Sequence, residues 1–311
     1  MRFRIRTFLV LTLVLAIALS ASTALGAEKL SFITDGVYGY VNDAPGTPGN
    51  LYAANVGVIV GDDAVLVVDT LTSADEAKML ISDIKKITDK PIRYVFNTHY
   101  HLDHALGNAP FAALGAITIS QSACRDMLIK NGETVIHSAK AWGLPEDFWN
   151  TTRIAPASIT FEREMRLDLG NLPVRLVFTG FASHSPGSSI AILPTKQTVF
   201  TGDILFTGIH PYLGDADIAG WQRNLDSVTA LDMKYIVPGH GPLSSNTDLA
   251  DLKSYLQIFD ALARELSATM NDPEAITAEM LKRLPAKQWG DALVGMNIRM
   301  RYMGKHAGYS N

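Results

Sequence analysis

Three histidines and one carboxylate lie within six residues of this chain, in the segment 98–104 with the sequence THYHLDH. Imidazole and carboxylate groups are the ligands that Zn²⁺ and related divalent cations favour. One helix face or one strand face would present only some of these side chains, whereas a loop can direct neighbouring residues toward two ions. The segment therefore predicts part of a metal site, and the missing ligands must come from elsewhere in the chain.

Three later segments supply further candidate ligands, each after an apolar run that resembles a strand. His184 lies in GFASHSPGSS, Asp203 in TGDILF and His240 in VPGHG. A glycine near each of them permits sharp turns and a close approach of the backbone to a metal. Because loops at strand ends commonly carry functional side chains on a rigid scaffold, we expect these residues to meet segment 98–104 at one place.

Apolar patterns predict the elements that must position these residues. Two β-branched runs at 55–60 and 64–69, separated by GDD, indicate a hairpin, and the spacing of apolar residues over 75–88 indicates a helix. Further strands are predicted at 91–97, 116–120, 172–179, 188–193, 198–201 and 235–237, and helices at 217–231, 247–269 and 273–284. Two strand-rich blocks, each followed by helices, predict an α/β fold in which two sheets pack together with helices outside. With no linker between the blocks, we expect a single domain over residues 28–311, with a helical insertion at about 121–158 and C-terminal helices.

The N-terminal 27 residues have the order of a secretory signal peptide. Three arginines precede an apolar stretch from Phe8 to Leu19, and small residues follow up to Ala27. This stretch is short of the roughly 20 residues that span a bilayer. We therefore expect cleavage after Ala24 or Ala27, a periplasmic or secreted protein, and no stable membrane association after cleavage.

Charge and cysteine content exclude several classes of function. Without residues 1–27 the chain keeps 24 basic and 31 acidic residues, a net charge near −7, which argues against a nucleic-acid partner. The single cysteine, Cys124, rules out an internal disulfide and has no catalytic motif around it, so we expect a buried apolar role. The expected partner is a small-molecule substrate.

With all four motifs in order over residues 51–243, the chain resembles the metallo-β-lactamase-fold superfamily of metallo-hydrolases. The carboxylate of Asp203 is similar to that of glyoxalase II-like members. The residues of segments 97–111 and 203–242, together with the predicted export, are similar to those of periplasmic members associated with quinoprotein systems. The resemblance implies a four-layer αββα sandwich with a dinuclear site on one edge. It implies that the first metal is bound by His99, His101 and His184. The second metal would be bound by Asp103, His104 and His240, and Asp203 would bridge the two. The resemblance also implies that Asp69, in VVDT, is a buried residue that orders the ligand loop.

The resemblance implies hydrolysis by a water that two cations share, with Asp103 as the catalytic residue that orients it. We expect two Zn²⁺ per chain, although iron or manganese also suits such ligands. The expected substrate is a small ester, thioester, lactone or amide. A carboxylate at Asp203 favours this branch, because members that hydrolyse β-lactams generally carry Cys or Ser there.

Three alternatives stay open. The first is a β-lactamase, and the second is a non-haem iron persulfide dioxygenase on the same fold, which would use two histidines and one aspartate. The third is a metal-binding or relay protein without catalysis.

The remaining segments of the sequence do not identify the substrate. We expect specificity to reside in residues 43–50, the 121–158 insertion and the loop 204–217. Trp142, Phe148 and Trp149 are candidates for either core or an apolar lid. For His137 and His306 a solvated surface position is expected, and His210, soon after Asp203, is a weaker candidate for the pocket.

Overall fold

The structure is a computed structural model that describes residues 30–41, 54–141 and 151–304, with only the backbone of residues 135 and 137–141. Within these ranges, two β-sheets pack face to face and helices cover both outer faces.

The first sheet has seven strands that lie in chain order. The strands are β1 (Ser31–Thr34), β2 (Val37–Tyr40), β3 (Val56–Val60), β4 (Val65–Val68), β5 (Ile92–Asn97), β6 (Ile117–Gln121) and β7 (Ile159–Phe161). Neighbours from β1 to β4 are antiparallel, and those from β4 to β7 are parallel. The parallel half brings the carboxyl ends of β4 and β5 to one edge.

The second sheet has five strands in the order β12-β11-β10-β9-β8. The strands are β8 (Glu164–Asp168), β9 (Pro173–Phe178), β10 (Ser189–Leu193), β11 (Thr198–Phe206) and β12 (Tyr235–His240). β11 and β12 are parallel with an irregular register, and the other pairs are antiparallel.

Helices fill the connections. They are α1 (Ala74–Ile87), α2 (Leu102–Ala105), α3 (Asn108–Ala113), α4 (Ser122–Ala141), α5 (Ile218–Thr229), α6 (Asn246–Ser267), α7 (Pro273–Arg283) and α8 (Asp291–Asn297), with a 3₁₀ turn at Pro194–Lys196 and a π-helix at Ile298–Tyr302. α1 begins at the N-cap Ser73, whose side chain accepts from the Glu76 N–H. None of the helices in the described ranges combines the length and the apolar character needed to cross a membrane.

Side-chain alternation along the strands divides the core into layers. In β4, Leu66 and Val68 face the second sheet, whereas Val65 and Val67 pack against α1 and α3. The outer face of the second sheet packs against α5, α6, α7 and α8, where Trp221 is fully buried. The order of layers is helix, sheet, sheet, helix, so the predicted αββα sandwich is confirmed.

Most predicted elements are present, with three corrections around the site. The strand predicted at 198–201 runs to Phe206, so Asp203 lies inside a strand, and that predicted at 235–237 runs to His240. The physical reason is the parallel pairing of β11 with β12, a contact between distant segments that no local pattern encodes. Segment 98–104 is not a loop throughout, since Asp103 and His104 lie in the one-turn helix α2.

Candidate metal centre

The candidate ligands come from five places at one edge of the two sheets. His99 and His101 follow β5, and His101 is the N-cap of α2, which carries Asp103 and His104. The others are His184 in the loop between β9 and β10, Asp203 in β11 and His240 at the end of β12. The structure brings all seven predicted ligands together, as two clusters.

The first cluster contains His99, His101, His184 and one oxygen of Asp203. Asp203 Oδ2 lies 3.1 Å from His184 Nε2 and 3.6 Å from His99 Nε2. His101 Nδ1 lies 2.7 Å from His184 Nε2. Three nitrogens and a carboxylate oxygen therefore converge on one point.

The second cluster contains Asp103, His104 and His240. Asp103 Oδ2 lies 3.1 Å from His240 Nε2 and 3.6 Å from His104 Nε2. The other oxygen of Asp203, Oδ1, lies 3.1 Å from His104 Nε2 and 3.4 Å from His240 Nε2. The Asp203 carboxylate thus stands between the clusters and offers one oxygen to each.

These separations suit divalent metal ions. Two ligands of a tetrahedral zinc ion with bonds of about 2.0 Å lie about 3.3 Å apart, close to the distances within each cluster. His99 Nε2 and Asp203 Oδ1 are buried and have no hydrogen-bond partner in the structure. Because buried polar atoms are nearly always satisfied, both atoms fit the role of metal ligand.

Asp69 orients one histidine of each cluster. Its Oδ2 accepts from His104 Nδ1 at 2.8 Å, which leaves Nε2 of that imidazole to face the second cluster. Asp69 also accepts from the N–H and the hydroxyl of Thr98, each at 2.8 Å. Since the Thr98 hydroxyl donates to Asp69, it accepts from His99 Nδ1, 3.1 Å away, and this directs His99 Nε2 into the first cluster.

The loop between β11 and α5 orients the other two histidines of the first cluster. Asp215 Oδ2 accepts from His101 Nε2 at 2.9 Å and from the Tyr100 hydroxyl at 2.5 Å. The carbonyl oxygen of Tyr212 accepts from His184 Nδ1 at 3.1 Å. Sequence reasoning missed both partners, because Asp215 has no motif around it and a backbone carbonyl leaves no trace in the residue type.

Glycines at the site permit contacts that a side chain would block. A Cβ at Gly239 would lie 1.9 Å from Asp203 Oδ1, and one at Gly202, where φ is +49°, would lie 2.3 Å from Thr98 Oγ1. Asp69 itself adopts φ of +65°, a left-handed conformation that aspartate tolerates better than most residues. The predicted role of glycine beside the ligands thus has a definite basis in close backbone approach.

The carboxylates and imidazoles perturb one another strongly. Burial opposes a charge on His104, but Asp203, Asp103 and Asp69 outweigh it and hold the pKa of this imidazole well above its usual range. In the same way the pKa of His240 is raised to about 9, chiefly by Asp203 against the effect of burial.

His99 and His184 behave in the opposite way. Burial, with the neighbouring imidazoles, holds the pKa of His99 well below its usual range and lowers that of His184 to about 3. His99 and His184 therefore offer neutral imidazoles to a cation. In the second cluster a cation would replace the protons that the carboxylates hold on His104 and His240.

The remaining candidates lie away from the clusters or outside the described residues. His210 is buried, and its Nδ1 lies 2.5 Å from the Tyr255 hydroxyl, beneath the C-terminal helices. Cys124 is buried, and burial raises the pKa of its thiol to about 12, in line with the expected apolar role. The structure does not describe Trp142, Phe148, Trp149, His306, residues 43–50 or the His137 side chain, so those predictions stay predictions.

Known proteins share this architecture. Residues 49–240, more than half of the chain, match the sequence profile of the metallo-beta-lactamase superfamily. The linear primary-alkylsulfatase of Pseudomonas sp. (strain ATCC 19151) is 24% identical over 63% of this chain, which spans only 43% of that protein. The metallo-beta-lactamase type 2 of Elizabethkingia meningoseptica is 25% identical over 76% of this chain and 89% of its own length.

Solved structures agree on the fold. A metallo-beta-lactamase from Pontibacter korlensis superposes with a TM-score of 0.60 at 18% identity, over 74% of this chain and 98% of its own. A double mutant of a sec-alkyl sulfatase superposes with a TM-score of 0.67 at 18% identity, over 90% of this chain and 51% of its own. By its sequence profile and its fold, the chain belongs to the metallo-beta-lactamase superfamily.

Proposed function

We propose that this protein is an exported, dinuclear zinc-dependent hydrolase that acts on a small ester, thioester, lactone or amide. The observation that carries the proposal is the Asp203 carboxylate, whose two oxygens face two separate sets of ligand nitrogens. A site with one cation would leave one of these sets without a role.

The chain's own residues hold and shape the reaction site. The two clusters would hold divalent cations, which would supply Lewis acidity and lower the pKa of a water nucleophile toward neutrality. Asp103, whose carboxylate is 11% exposed, lies where it can accept a hydrogen bond from the attacking water and orient it. Phe206 stacks on the His240 ring at 5.1 Å between centroids, and this apolar contact limits the access of bulk water to one side of the site.

The relatives extend the list of substrates worth testing. One relative is named an alkylsulfatase and another a β-lactamase, so a sulfate ester and a β-lactam belong in the same assay. We rank β-lactams second, because a carboxylate occupies the Asp203 position. We rank an iron dioxygenase third, because a single iron would leave Asp103, His104 and His240 without a metal to bind.

The test is a hydrolysis panel with the zinc-loaded protein and an Asp103→Asn variant. The panel contains an aryl ester, a thioester, a lactone, an alkyl sulfate and nitrocefin. We expect turnover of at least one substrate and a loss of about 100-fold or more in the variant, the scale of losing a group that orients the attacking water. The matched control is Asp226→Asn, a surface carboxylate paired with Lys253, which should keep full activity.

Wild-type turnover by Asp103→Asn would contradict the role of Asp103. A purified protein with one iron per chain that consumes oxygen would contradict the hydrolase. Export has its own test, because the protein recovered from the periplasm of a Gram-negative host should begin after Ala24 or Ala27. Recovery from the cytoplasm with residues 1–27 intact would contradict it.

A further inference from the structure

A fully buried asparagine at the end of α8 makes two hydrogen bonds to the loop between β11 and α5, which orients two histidines of the first cluster. Asn297 Oδ1 accepts from the Leu213 N–H at 2.7 Å, and its Nδ2 donates to the Pro211 carbonyl at 2.8 Å. The side chain thus bonds the backbone of the residues directly before and after Tyr212. Its exposed fraction is 0%, so water does not compete for these bonds.

These hydrogen bonds constrain the peptide group that accepts a hydrogen bond from His184, a candidate metal ligand. The Tyr212 carbonyl and the Leu213 N–H belong to one planar peptide group, and they point in opposite directions. At one end of this group the N–H donates to Asn297, and at the other end the carbonyl accepts from His184 Nδ1 at 3.1 Å. Rotation of the peptide would break both bonds together, so Asn297 fixes the acceptor that orients His184.

The same loop also carries the partner of His101. Asp215, two residues after Leu213, accepts from His101 Nε2 at 2.9 Å. The C-terminal segment holds this loop at two more points, since Arg301 donates to the Ala216 carbonyl and the Trp289 carbonyl accepts from the His210 N–H. The residues that hold the loop, Asn297, Arg301 and Trp289, all lie beyond residue 240, outside the span that matches the superfamily profile.

Another buried asparagine makes comparable hydrogen bonds to the backbone next to the second cluster. Asn55, which is also buried, donates from Nδ2 to the Pro238 carbonyl at 2.9 Å and to the Gly241 carbonyl at 2.8 Å, on either side of His240. Next to each cluster, therefore, a buried asparagine makes two hydrogen bonds to the backbone on either side of one residue, Tyr212 or His240. This pairing supplies an internal comparison for an experiment.

We propose that Asn297 is a positioning residue for His184 and, through the same loop, for His101, so that the C-terminal helix α8 sets the metal affinity of the first cluster. The inference rests on the proposed metal-dependent function. It adds that residues outside the matched family region determine how tightly one of the two ions is held.

The test separates the clusters by mutation. A background with Asp103→Ala and His240→Ala keeps the first cluster alone, and one with His99→Ala and His184→Ala keeps the second. In each background the zinc affinity of Asn297→Ala is measured by competition with a chromophoric chelator. We expect a loss of about tenfold in the first background, within the usual range for the loss of a group behind a ligand, and no comparable loss in the second. Asn55→Ala should show the reverse pattern.

Controls distinguish positioning from general loss of stability. Val294→Ala removes a buried side chain from the same helix without touching the loop bonds, so it should lower the melting temperature and leave both zinc affinities unchanged. Asn297→Leu fills nearly the same volume without either hydrogen bond, and it replaces Asn297→Ala if that variant does not fold. It should show the same selective loss.

The zinc affinities test the role of Asn297 independently of the proposed hydrolase activity. Equal losses in both backgrounds, no loss in the first, or the same selective loss in Val294→Ala would overturn the role of Asn297, although the hydrolase proposal would stand. An unmodified protein that binds no zinc would overturn both proposals.

Discussion

The conservative change Asp69→Asn should invert the tautomers of two histidines at once. The amide oxygen must take the place of Asp69 Oδ1, because the Thr98 N–H points at it from 2.8 Å. The new NH₂ group then faces His104 Nδ1 and the Thr98 hydroxyl. His104 Nδ1 must now accept a hydrogen bond, and the Thr98 hydroxyl turns its proton toward His99 Nδ1. Both imidazoles then carry their proton on Nε2, the nitrogen that faces the metal clusters.

The size of the effect follows from the bonds involved. To bind a cation, each imidazole must move its proton back to Nδ1, where no acceptor remains. A hydrogen bond to a charged group contributes about 1.5–3 kcal/mol. At about 1.4 kcal/mol per tenfold, we expect the second cluster, through His104, to lose about 10- to 100-fold in zinc affinity. His99 loses a bond to the neutral Thr98 hydroxyl, worth about 0.5–1.5 kcal/mol, so we expect the first cluster to lose about 2- to 10-fold. The fold should persist, because asparagine has the same shape and tolerates the positive φ at this position.

Two measurements check this reasoning. Competition with a chelator gives the two zinc affinities, and ¹⁵N NMR of the metal-free protein at alkaline pH, where the imidazoles are neutral, reports which ring nitrogen of His99 and His104 carries the proton. The matched control is Asp75→Asn, the same chemical change at an exposed carboxylate paired with Lys78, and it should alter neither quantity. Unchanged zinc affinities, or protons that remain on Nδ1 in the Asp69→Asn variant, would refute the proposed role of Asp69.

Two further predictions concern backbone packing and pH. Gly239→Ala places a methyl group 1.9 Å from Asp203 Oδ1, so we expect a cost of about 1–3 kcal/mol and a reduced rise in melting temperature on addition of zinc. Gly115→Ala, with nothing within 4 Å, should strain only the backbone and keep the full rise. Burial lowers the pKa of His210 to about 4, so the unfolded chain binds a proton more readily below pH 6.5. Stability contributed by neutral His210 should be complete above pH 6.5 and fall by about 2 kcal/mol toward pH 4, once solvent screening is allowed for. In the metal-free protein, chemical denaturation should show a shallower fall for His210→Gln, and an equal fall in both proteins would contradict this.

The amino-acid sequence by itself determined which residues form the clusters and most of the elements that carry them. The reason is local: ligand types at short spacing and apolar periodicity are properties of neighbouring residues. Segment 98–104 supplied four of the seven candidate ligands, and the motifs around His184, Asp203 and His240 supplied the rest. The assignment of those ligands to two metals came from the resemblance and stays a prediction; the structure shows that the two Asp203 oxygens face separate sets of imidazole nitrogens.

The tertiary structure alone decided what holds the ligands in place. Asp215 is 114 residues from His101, and Asn297 is 84 residues from Leu213, so neither partner leaves a pattern within a helix or strand. The extension of β11 past Asp203 likewise depends on its pairing with β12. A hydrogen bond to a backbone carbonyl, such as that from His184 to Tyr212, depends on where the chain passes and not on the residue type. The candidate ligands were therefore readable from sequence, whereas the groups that orient them became visible only when distant segments were brought together.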